Sequence, residues 1–185
     1  MFMENVVLQA GFPDGLRIRP AEPDDARAML AVHRAAVTRT AAAAAAYDAG
    51  IIAEWAAPDT PEAVERLRTG ITAGTMLTQV ALVGGSVSGF GCIVPAESLL
   101  RTLYVDPVAG RRGIGSLLLV SLERLAVRNG VRILDVNASL NAEAFYRRNG
   151  FAVLESGLHP LCSGRTMPCI RMRKHLDAPG PHRGR

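Results

Sequence analysis

A short segment in the second half of the chain combines glycines with two adjacent arginines. It occupies residues 103–116 and contains Arg111, Arg112, Gly113 and Gly115. Apolar residues at helical spacing follow it, which predicts a loop between a strand and a helix. Main-chain N–H groups at a helix N-terminus bind anions, glycines let phosphate oxygens approach, and arginines add charged hydrogen bonds. The segment therefore predicts a phosphate-binding turn.

The spacing argues against two common phosphate motifs. A nucleotide-binding P-loop reads G-x-x-x-x-G-K-[ST], and here Gly110 and Gly115 have that spacing, but Ser116 stands where the lysine is needed. The dinucleotide fingerprint G-x-G-x-x-G fails as well, because Leu118 stands at its third glycine. A plain glycine-rich connector is the alternative, and the paired arginines argue against it. A nucleotide-phosphate enzyme is therefore disfavoured.

The elements around this turn predict a mixed α/β fold. Helices come first, then an antiparallel meander, then a strand–helix–strand crossover. The run of six alanines before the second helix is either a plain helix former or a tolerated insert. The expected helices begin near residues 24, 47, 60, 114 and 141, and the expected strands cover residues 16–19, 75–83, 86–94, 97–105, 132–136, 151–155 and 169–173.

Length and charge limit the classes of protein that fit. The chain has 185 residues, which suits one domain, and it carries 21 basic against 17 acidic side chains. Six of the bases and one acid lie in residues 165–185, so the rest is nearly neutral, with 15 bases and 16 acids. Aromatic residues make up 5% and mark no basic face, which argues against a nucleic-acid partner.

The chain shows no signal for membranes or disulfides. It contains no run of about 18 apolar residues, and its first residues lack the pattern of a secretory signal. Three cysteines are too few and odd in number for a disulfide framework. We therefore expect a cytoplasmic protein with no membrane partner, built as a single domain over residues 1–176 with a flexible tail over residues 177–185.

Two blocks of the sequence resemble the GNAT (GCN5-related N-acetyltransferase) superfamily, most strongly over residues 75–175. The family's loop pattern is Q/R-x-x-G-x-G/A, and Gly113 and Gly115 match its small positions. Gly110 departs from the expected glutamine or arginine, and the neighbouring arginines are candidates to supply that contact. A second block, residues 141–151, resembles the family's N-x-x-A-x-x-F-Y-x-x-x-G-F pattern in a tighter form.

The resemblance implies a fold and a set of cofactor contacts. The implied fold has a mostly antiparallel central sheet, flanked by helices, whose fourth and fifth strands splay apart to admit the pantetheine arm of acetyl-CoA. A bulge in the fourth strand, matched here by Leu103–Val105, would hold the thioester carbonyl. The implied acetyl-CoA contacts are Leu103, Tyr104, Val105, Arg111, Arg112, Gly113, Ile114, Gly115, Ser116, Asn141 and Tyr146.

The implied chemistry needs an acid for the leaving thiolate and a base for the amine. Tyr146 matches the position that often supplies the acid; the alternative is an aromatic residue that packs beside its neighbours. Glu97, expected near the start of the fourth strand, is the candidate base, although a strand-end glutamate is more often simply solvated. His33, Glu54 and His159 are rivals for that role.

The implied activity is acetyl transfer from acetyl-CoA to a primary amine by direct attack in a ternary complex. A non-catalytic acyl-CoA-binding module of the same fold is the alternative. We expect the acceptor to be a small-molecule amine or a peptide N-terminus, and the sequence leaves open whether it is a simple amine, an amino acid, an antibiotic or a protein. Its pocket would be built by residues 24–72, the last two strands and the loop 156–168, and candidates to shape it are Tyr47, Glu54, Trp55, Arg165 and Met167. No metal is expected, because Cys162, Cys169 and His175 lack a ligand spacing. A homodimer is a further expectation by analogy.

Overall fold

Seven strands and six helices make up the computed structural model, which describes residues 15–56 and 58–176. The strands are β1 (Arg17–Pro20), β2 (Leu77–Val83), β3 (Ser86–Val94), β4 (Leu99–Val105), β5 (Ile133–Ser139), β6 (Ala152–Pro160) and β7 (Thr166–His175). The helices are α1 (Ala26–Thr38), α2 (Ala41–Ala46), α3 (Ala49–Trp55), α4 (Pro61–Ala73), α5 (Ile114–Arg128) and α6 (Glu143–Arg148). The predicted lead-in and the predicted tail, residues 1–14 and 177–185, lie outside the described residues.

The strands form one sheet in the order β1-β2-β3-β4-β5-β7-β6. Every neighbouring pair is antiparallel except β4 and β5, which run parallel. These two strands pair only at Leu99 with Asp135 and at Leu100 with Val136, and beyond that point they separate. The predicted mixed fold with a splayed fourth and fifth strand is confirmed.

Local sequence signals set several boundaries as predicted. Gly84 and Gly85 both have positive φ, at 57° and 82°, and they close the β2–β3 hairpin. The Thr60 side chain accepts a hydrogen bond from the Ala63 N–H and caps α4, while Gly74 ends that helix in the left-handed conformation. The hairpin turn places β2 and β3 beside one another, whereas the four helices α1 to α4 connect β1 to β2.

Helix α5 lies close against one face of the sheet. Leu118, Leu119 and Leu122 are fully buried there. Two glycines of β3 make this approach possible, because a Cβ on Gly91 would lie 2.5 Å from the Leu122 Cδ1 atom and a Cβ on Gly89 would lie 3.0 Å from the Leu118 Cδ1 atom. The close contact fixes the start of α5, and with it the glycine-rich turn, relative to β4.

Helices α1 and α4 cover the opposite face. Met29 and Val32 of α1 pack on Val80 and Phe90 of the sheet, and Leu67 of α4 packs at the edge of the same cluster. The site described below lies where β4 and β5 part between these layers. No helix within the described residues is long and apolar enough to cross a membrane.

Several predicted boundaries were wrong. Strands β6 and β7 form a long hairpin that reaches Pro160 and starts again at Thr166, so His159 lies in a strand and not in the predicted loop. Most of β6 is exposed, which removes the alternation of apolar and polar residues that marks a half-buried strand. The alanine run forms α2, a helix of its own that ends before Tyr47.

Candidate active site

The glycine-rich turn forms a concave main-chain surface at the start of α5. Arg111 has a φ of 59°, which is unusual for a residue with a side chain, and Gly113 has a φ of 78°. Left-handed residues in such a turn point successive N–H groups toward one place, which creates an anion site. Gly113 is the N-cap of α5 and no side chain caps that end. Ile114 is 1% exposed, so its side chain anchors the turn in the core.

The turn also carries free positive charge. Arg111 and Arg112 are exposed, and no ion pair joins either of them to an acid within residues 15–56 and 58–176. Helix α5 has no acidic residue in its first turn. The positive end of the helix dipole and the two guanidinium groups therefore act together on any anion bound there.

A β-bulge in β4 lies where that strand leaves β5. Cys92 of β3 faces Thr102 and Ile93 faces Leu100, so Arg101 is the extra residue. The bulge was predicted at Leu103–Val105, which is wrong by a few positions. An extra residue bends a strand and increases its twist. This bend directly follows the last paired residue of β4 and β5, Leu100, and so accounts for the separation of the two strands.

The separated strands enclose a cavity of about 310 Å³. Both strands contribute to its walls, together with two residues of β7 and single residues from α1, α3, α6, β6 and the turn that precedes α6. The lining residues are His33, Trp55, Leu99, Leu100, Arg101, Thr102, Leu103, Tyr104, Val136, Asn137, Ala138, Ser139, Ala142, Tyr146, His159, Met167 and Cys169. A cleft with apolar walls and a few polar groups is the usual form of a small-molecule site.

Tyr146 lies on α6 at one side of this cavity and is 5% exposed. Its ring makes edge-on contacts with Phe145 and Phe151, at centroid distances of 5.1 and 5.4 Å. Burial raises the pKa of its hydroxyl well above the usual range, and nearby Tyr104 adds to this. The hydroxyl is protonated at neutral pH and can donate a proton, although as a weaker acid than an exposed tyrosine. The aromatic packing anticipated as its alternative role is present as well.

Three aromatic side chains from α1, α3 and β4 form a wall of the cavity. The Trp55 indole N–H donates a hydrogen bond to the Tyr104 hydroxyl at 3.0 Å, and the His33 ring lies 4.3 Å from the Tyr104 ring, centroid to centroid. We call His33, Trp55 and Tyr104 the aromatic wall. Burial raises the pKa of Tyr104 to about 12. Burial also lowers the pKa of His33 to about 4, so its imidazole is neutral at physiological pH.

Tyr47 attaches the helices behind this wall to the sheet. Its hydroxyl donates to the Pro168 carbonyl at 2.9 Å and accepts from the Leu140 N–H at 2.7 Å. Its ring packs edge-on against Trp55 at a centroid distance of 5.6 Å. One side chain thus connects the α2–α3 junction to β7 and to the turn that precedes α6.

Comparison with known proteins decides the family. The model of the acetyltransferase (GNAT) domain matches residues 42–176, which is most of the chain. The chain belongs to the GNAT family. It is 30% identical to the uncharacterized N-acetyltransferase YafP of Escherichia coli K12 over 142 residues, covering 77% of this chain and 85% of YafP.

Solved GNAT structures share the fold. A GCN5-related N-acetyltransferase from Rhodopseudomonas palustris is 27% identical with a TM-score of 0.77, over 92% of this chain and 99% of that one. The PaiA N-acetyltransferase of Thermoplasma acidophilum, solved in complex with coenzyme A, is 20% identical with a TM-score of 0.71, over 87% and 99%. The resemblance seen in the two sequence blocks therefore extends over nearly all of the chain.

Glu97 and Asn141, which the GNAT resemblance predicts as site residues, lie in short turns outside the cavity lining. Glu97 belongs to a 3₁₀ turn, Pro95–Glu97, that precedes β4, and its side chain is exposed. Asn141 lies in another 3₁₀ turn, Leu140–Ala142, where it is exposed and does not cap α6 as predicted. In both places a short turn occupies positions that the sequence pattern assigned to a strand end or a helix cap.

The two rival bases besides His33 have different surroundings. Glu54 lies outside the lining, where the Ser163 hydroxyl and then Arg165, whose Nη1 atom is 2.8 Å from the carboxylate, hold its pKa below its usual range. His159 lines the cavity, and burial followed by the charge of Arg101 lowers its pKa. Of the three, only the two histidines are positioned to contact a bound molecule.

The other residues expected to contact acetyl-CoA lie in the cleft, in the core beneath α5 and in the first turn of α5. Leu103 and Tyr104 line the cavity, whereas Val105 packs in the core beneath α5. A Cβ on Gly115 would lie 3.3 Å from the Phe145 ring, so this glycine lets the first turn of α5 approach α6. Ser116 follows in that same turn of α5.

The structure also identifies lining residues that sequence reasoning missed. Thr102, Asn137 and Ser139 are polar groups of the cleft that carry no motif. Arg101, the extra residue of the β4 bulge, lines the cleft as well. Within the described residues, no group of three or more His, Cys, Asp or Glu side chains could hold a metal ion.

Proposed function

We propose that this GNAT protein is an acetyl-CoA-dependent N-acetyltransferase that transfers the acetyl group directly to a primary amine in a ternary complex. The observation that carries the proposal is the separation of β4 and β5 directly after Leu100 and Val136. It creates a cleft whose wall strand, β4, continues through a short turn into the phosphate-binding loop. The coenzyme A complex of the Thermoplasma relative supports this assignment.

The residues present fit the cofactor's two parts. Residues 111–116 would bind the diphosphate through main-chain N–H groups and the two arginine side chains. A strand with one unpaired edge offers alternate N–H and C=O groups to an extended ligand. From Thr102 to Val105, β4 pairs with β3 on one side and has no pairing with β5 on the other. This open edge would hold the pantetheine arm and the thioester carbonyl.

Acetyl-CoA, when bound, supplies the activated acetyl group. In the proposed transfer, the amine nitrogen bonds to the acyl carbon, the C–S bond breaks, and the Tyr146 hydroxyl gives its proton to the departing sulfur. A neutral amine is required, and the cleft favours that form because its lining contains no Asp or Glu, as far as the described residues go. His33 would accept the proton that the amine loses, as a weak base because burial lowers its pKa to about 4. Glu97, outside the lining, would have to act through water.

The acceptor of the proposal is a small amine or a peptide N-terminus, and we place the reaction in the cytoplasm. The three cysteines, Cys92, Cys162 and Cys169, are all free thiols, which agrees with a reducing compartment. A homodimer stays a prediction that light scattering at several protein concentrations would test.

Release of the coenzyme A thiol, measured with a panel of amines, tests the proposal. We expect Tyr146→Phe to lower kcat by about 100-fold while the Kd for acetyl-CoA stays within about twofold, because a proton donor acts in the transition state and not in binding. Glu97→Gln in the same assay tests the water-mediated base.

Acetyl-CoA binding without thiol release across the whole panel would contradict the enzyme proposal. That result would favour the non-catalytic acyl-CoA-binding module. The departure at Gly110 from the family's loop pattern is the feature that speaks for this second candidate.

A further inference from the structure

We propose that the acceptor is an α-amino acid with an apolar or aromatic side chain, and that Arg101 binds its carboxylate. This inference rests on the proposed function and specifies its substrate class. It depends on three features of the cleft: a guanidinium group without an acidic partner among the described residues, a lining without acidic side chains, and the aromatic wall, which includes the buried imidazole of His33.

Arg101 is placed to meet a ligand and not to stabilise the fold. It is the extra residue of the β4 bulge, a position that re-aims a side chain relative to the strand. It is exposed, it lines the cavity, and no ion pair joins it to an acid in the part of the chain that the structure describes. Arg165 differs, because Glu54 lies 2.8 Å from it. A free guanidinium can bind a carboxylate through two parallel hydrogen bonds.

The charge of the cleft selects against polycations. Its lining contains Arg101 and two histidines, and among the described residues it contains no carboxylate. The charge of Arg101 reaches across the cleft, since it contributes to the lowered pKa of His159. A polyamine or an aminoglycoside would bring several positive charges into this field without a counter-charge. A molecule with one amine and one carboxylate instead offsets the charge of Arg101.

The aromatic wall supplies the remaining contacts. His33, Trp55 and Tyr104 offer a flat apolar surface on which a side chain can pack. The Nε2 atom of His33 is buried without a hydrogen-bond partner among the described residues. A buried polar atom without a partner costs free energy, and an acceptor amine would provide the missing partner. The cleft thus offers one contact for each part of an amino acid: amine, carboxylate and side chain.

Matched acceptors test this inference. We would compare kcat/KM for L-phenylalanine, L-phenylalanine amide and 2-phenylethylamine, which share the amine and the ring but differ in the carboxylate. We expect L-phenylalanine to exceed both others by at least about tenfold, the effect of one charged hydrogen-bond pair. L-phenylalanine amide also represents a peptide N-terminus, because in both molecules an amide group takes the place of the free carboxylate. The amine of the amide is less basic than that of the acid, so more of it is neutral at a given pH. If the carboxylate made no contact, the amide would therefore be the better acceptor.

The variants then assign the preference to one side chain. Arg101→Ala is expected to remove the preference for the acid, Arg101→Lys to retain part of it, and Arg124→Ala, a change of an exposed arginine on α5, to leave it intact. Calorimetric titration of L-phenylalanine into the complex with coenzyme A should rank the affinities of these variants in the same order: Arg124→Ala highest, Arg101→Lys lower and Arg101→Ala lowest.

Equal kcat/KM for acid and amide in the unaltered protein, or an undiminished preference in Arg101→Ala, would overturn the inference. So would the absence of turnover with every amino acid tested when other amines are acetylated. Failure to bind acetyl-CoA at all would instead contradict the proposed function, so the two failures are distinguishable.

Discussion

The buried imidazole of His33 makes the stability of this protein depend on pH in a defined window. Burial lowers its pKa from the ordinary 6.5 to about 4. Between these values the unfolded chain binds a proton that the folded chain does not, so the free energy of unfolding falls as the pH is lowered. One pKa unit corresponds to about 1.4 kcal/mol, which gives a total loss of about 3 kcal/mol and about 2 kcal/mol between pH 8 and pH 5.

Urea unfolding of the unaltered protein and of His33→Leu at pH 8 and pH 5 measures this term. We expect the unaltered protein to lose about 2 kcal/mol more than the variant over that interval, because the other titrating groups are common to both. His175→Leu, a change of an exposed histidine at the end of β7, is the matched control and is measured at the same two pH values. An equal loss in the unaltered protein and in His33→Leu would refute the reasoning.

Two further substitutions test the framework that holds the cleft. Gly91→Ala places a Cβ 2.5 Å from the Leu122 Cδ1 atom, so the Leu122 side chain or α5 must shift, and the free energy of unfolding should fall by about 1–3 kcal/mol in urea. An unchanged value would contradict the close packing of α5 on β3. Tyr47→Phe removes the hydroxyl that serves both the Pro168 carbonyl and the Leu140 N–H, and should also cost about 1–3 kcal/mol. Unaltered stability there would show that water replaces both hydrogen bonds.

The sequence predicts those parts of the fold and site that depend on local signals. The hairpin glycines, the Thr60 cap and the glycine-rich turn each depend on a few neighbouring residues, and the structure contains all three. The glycine-rich turn could be predicted from the sequence because its backbone conformation favours glycines at particular positions. Its interpretation needed no knowledge of the distant parts of the chain.

The parts that could not be predicted depend on contacts between distant segments. The aromatic wall consists of residues 33, 55 and 104, and the sequence around each of them does not predict its contact with the other two. The bulge at Arg101 is a mismatch in pairing between β3 and β4, so it is a property of two strands. The length of β6 was missed because an exposed strand lacks an apolar pattern. The acceptor side of the site is therefore visible only in three dimensions.

Calorimetric titration with acetyl-CoA tests the central claim most directly, because both the phosphate-binding turn and the separated strands are assigned to that molecule. We predict binding of one acetyl-CoA per chain, weakened by at least about tenfold in the double variant Arg111→Ala/Arg112→Ala, since each lost charged hydrogen bond costs about 1.5–3 kcal/mol. The control Arg124→Ala/Arg128→Ala, two exposed arginines further along α5, should bind as the unaltered protein does. Absence of binding, or equal affinity in the Arg111 and Arg112 double variant, would contradict the account.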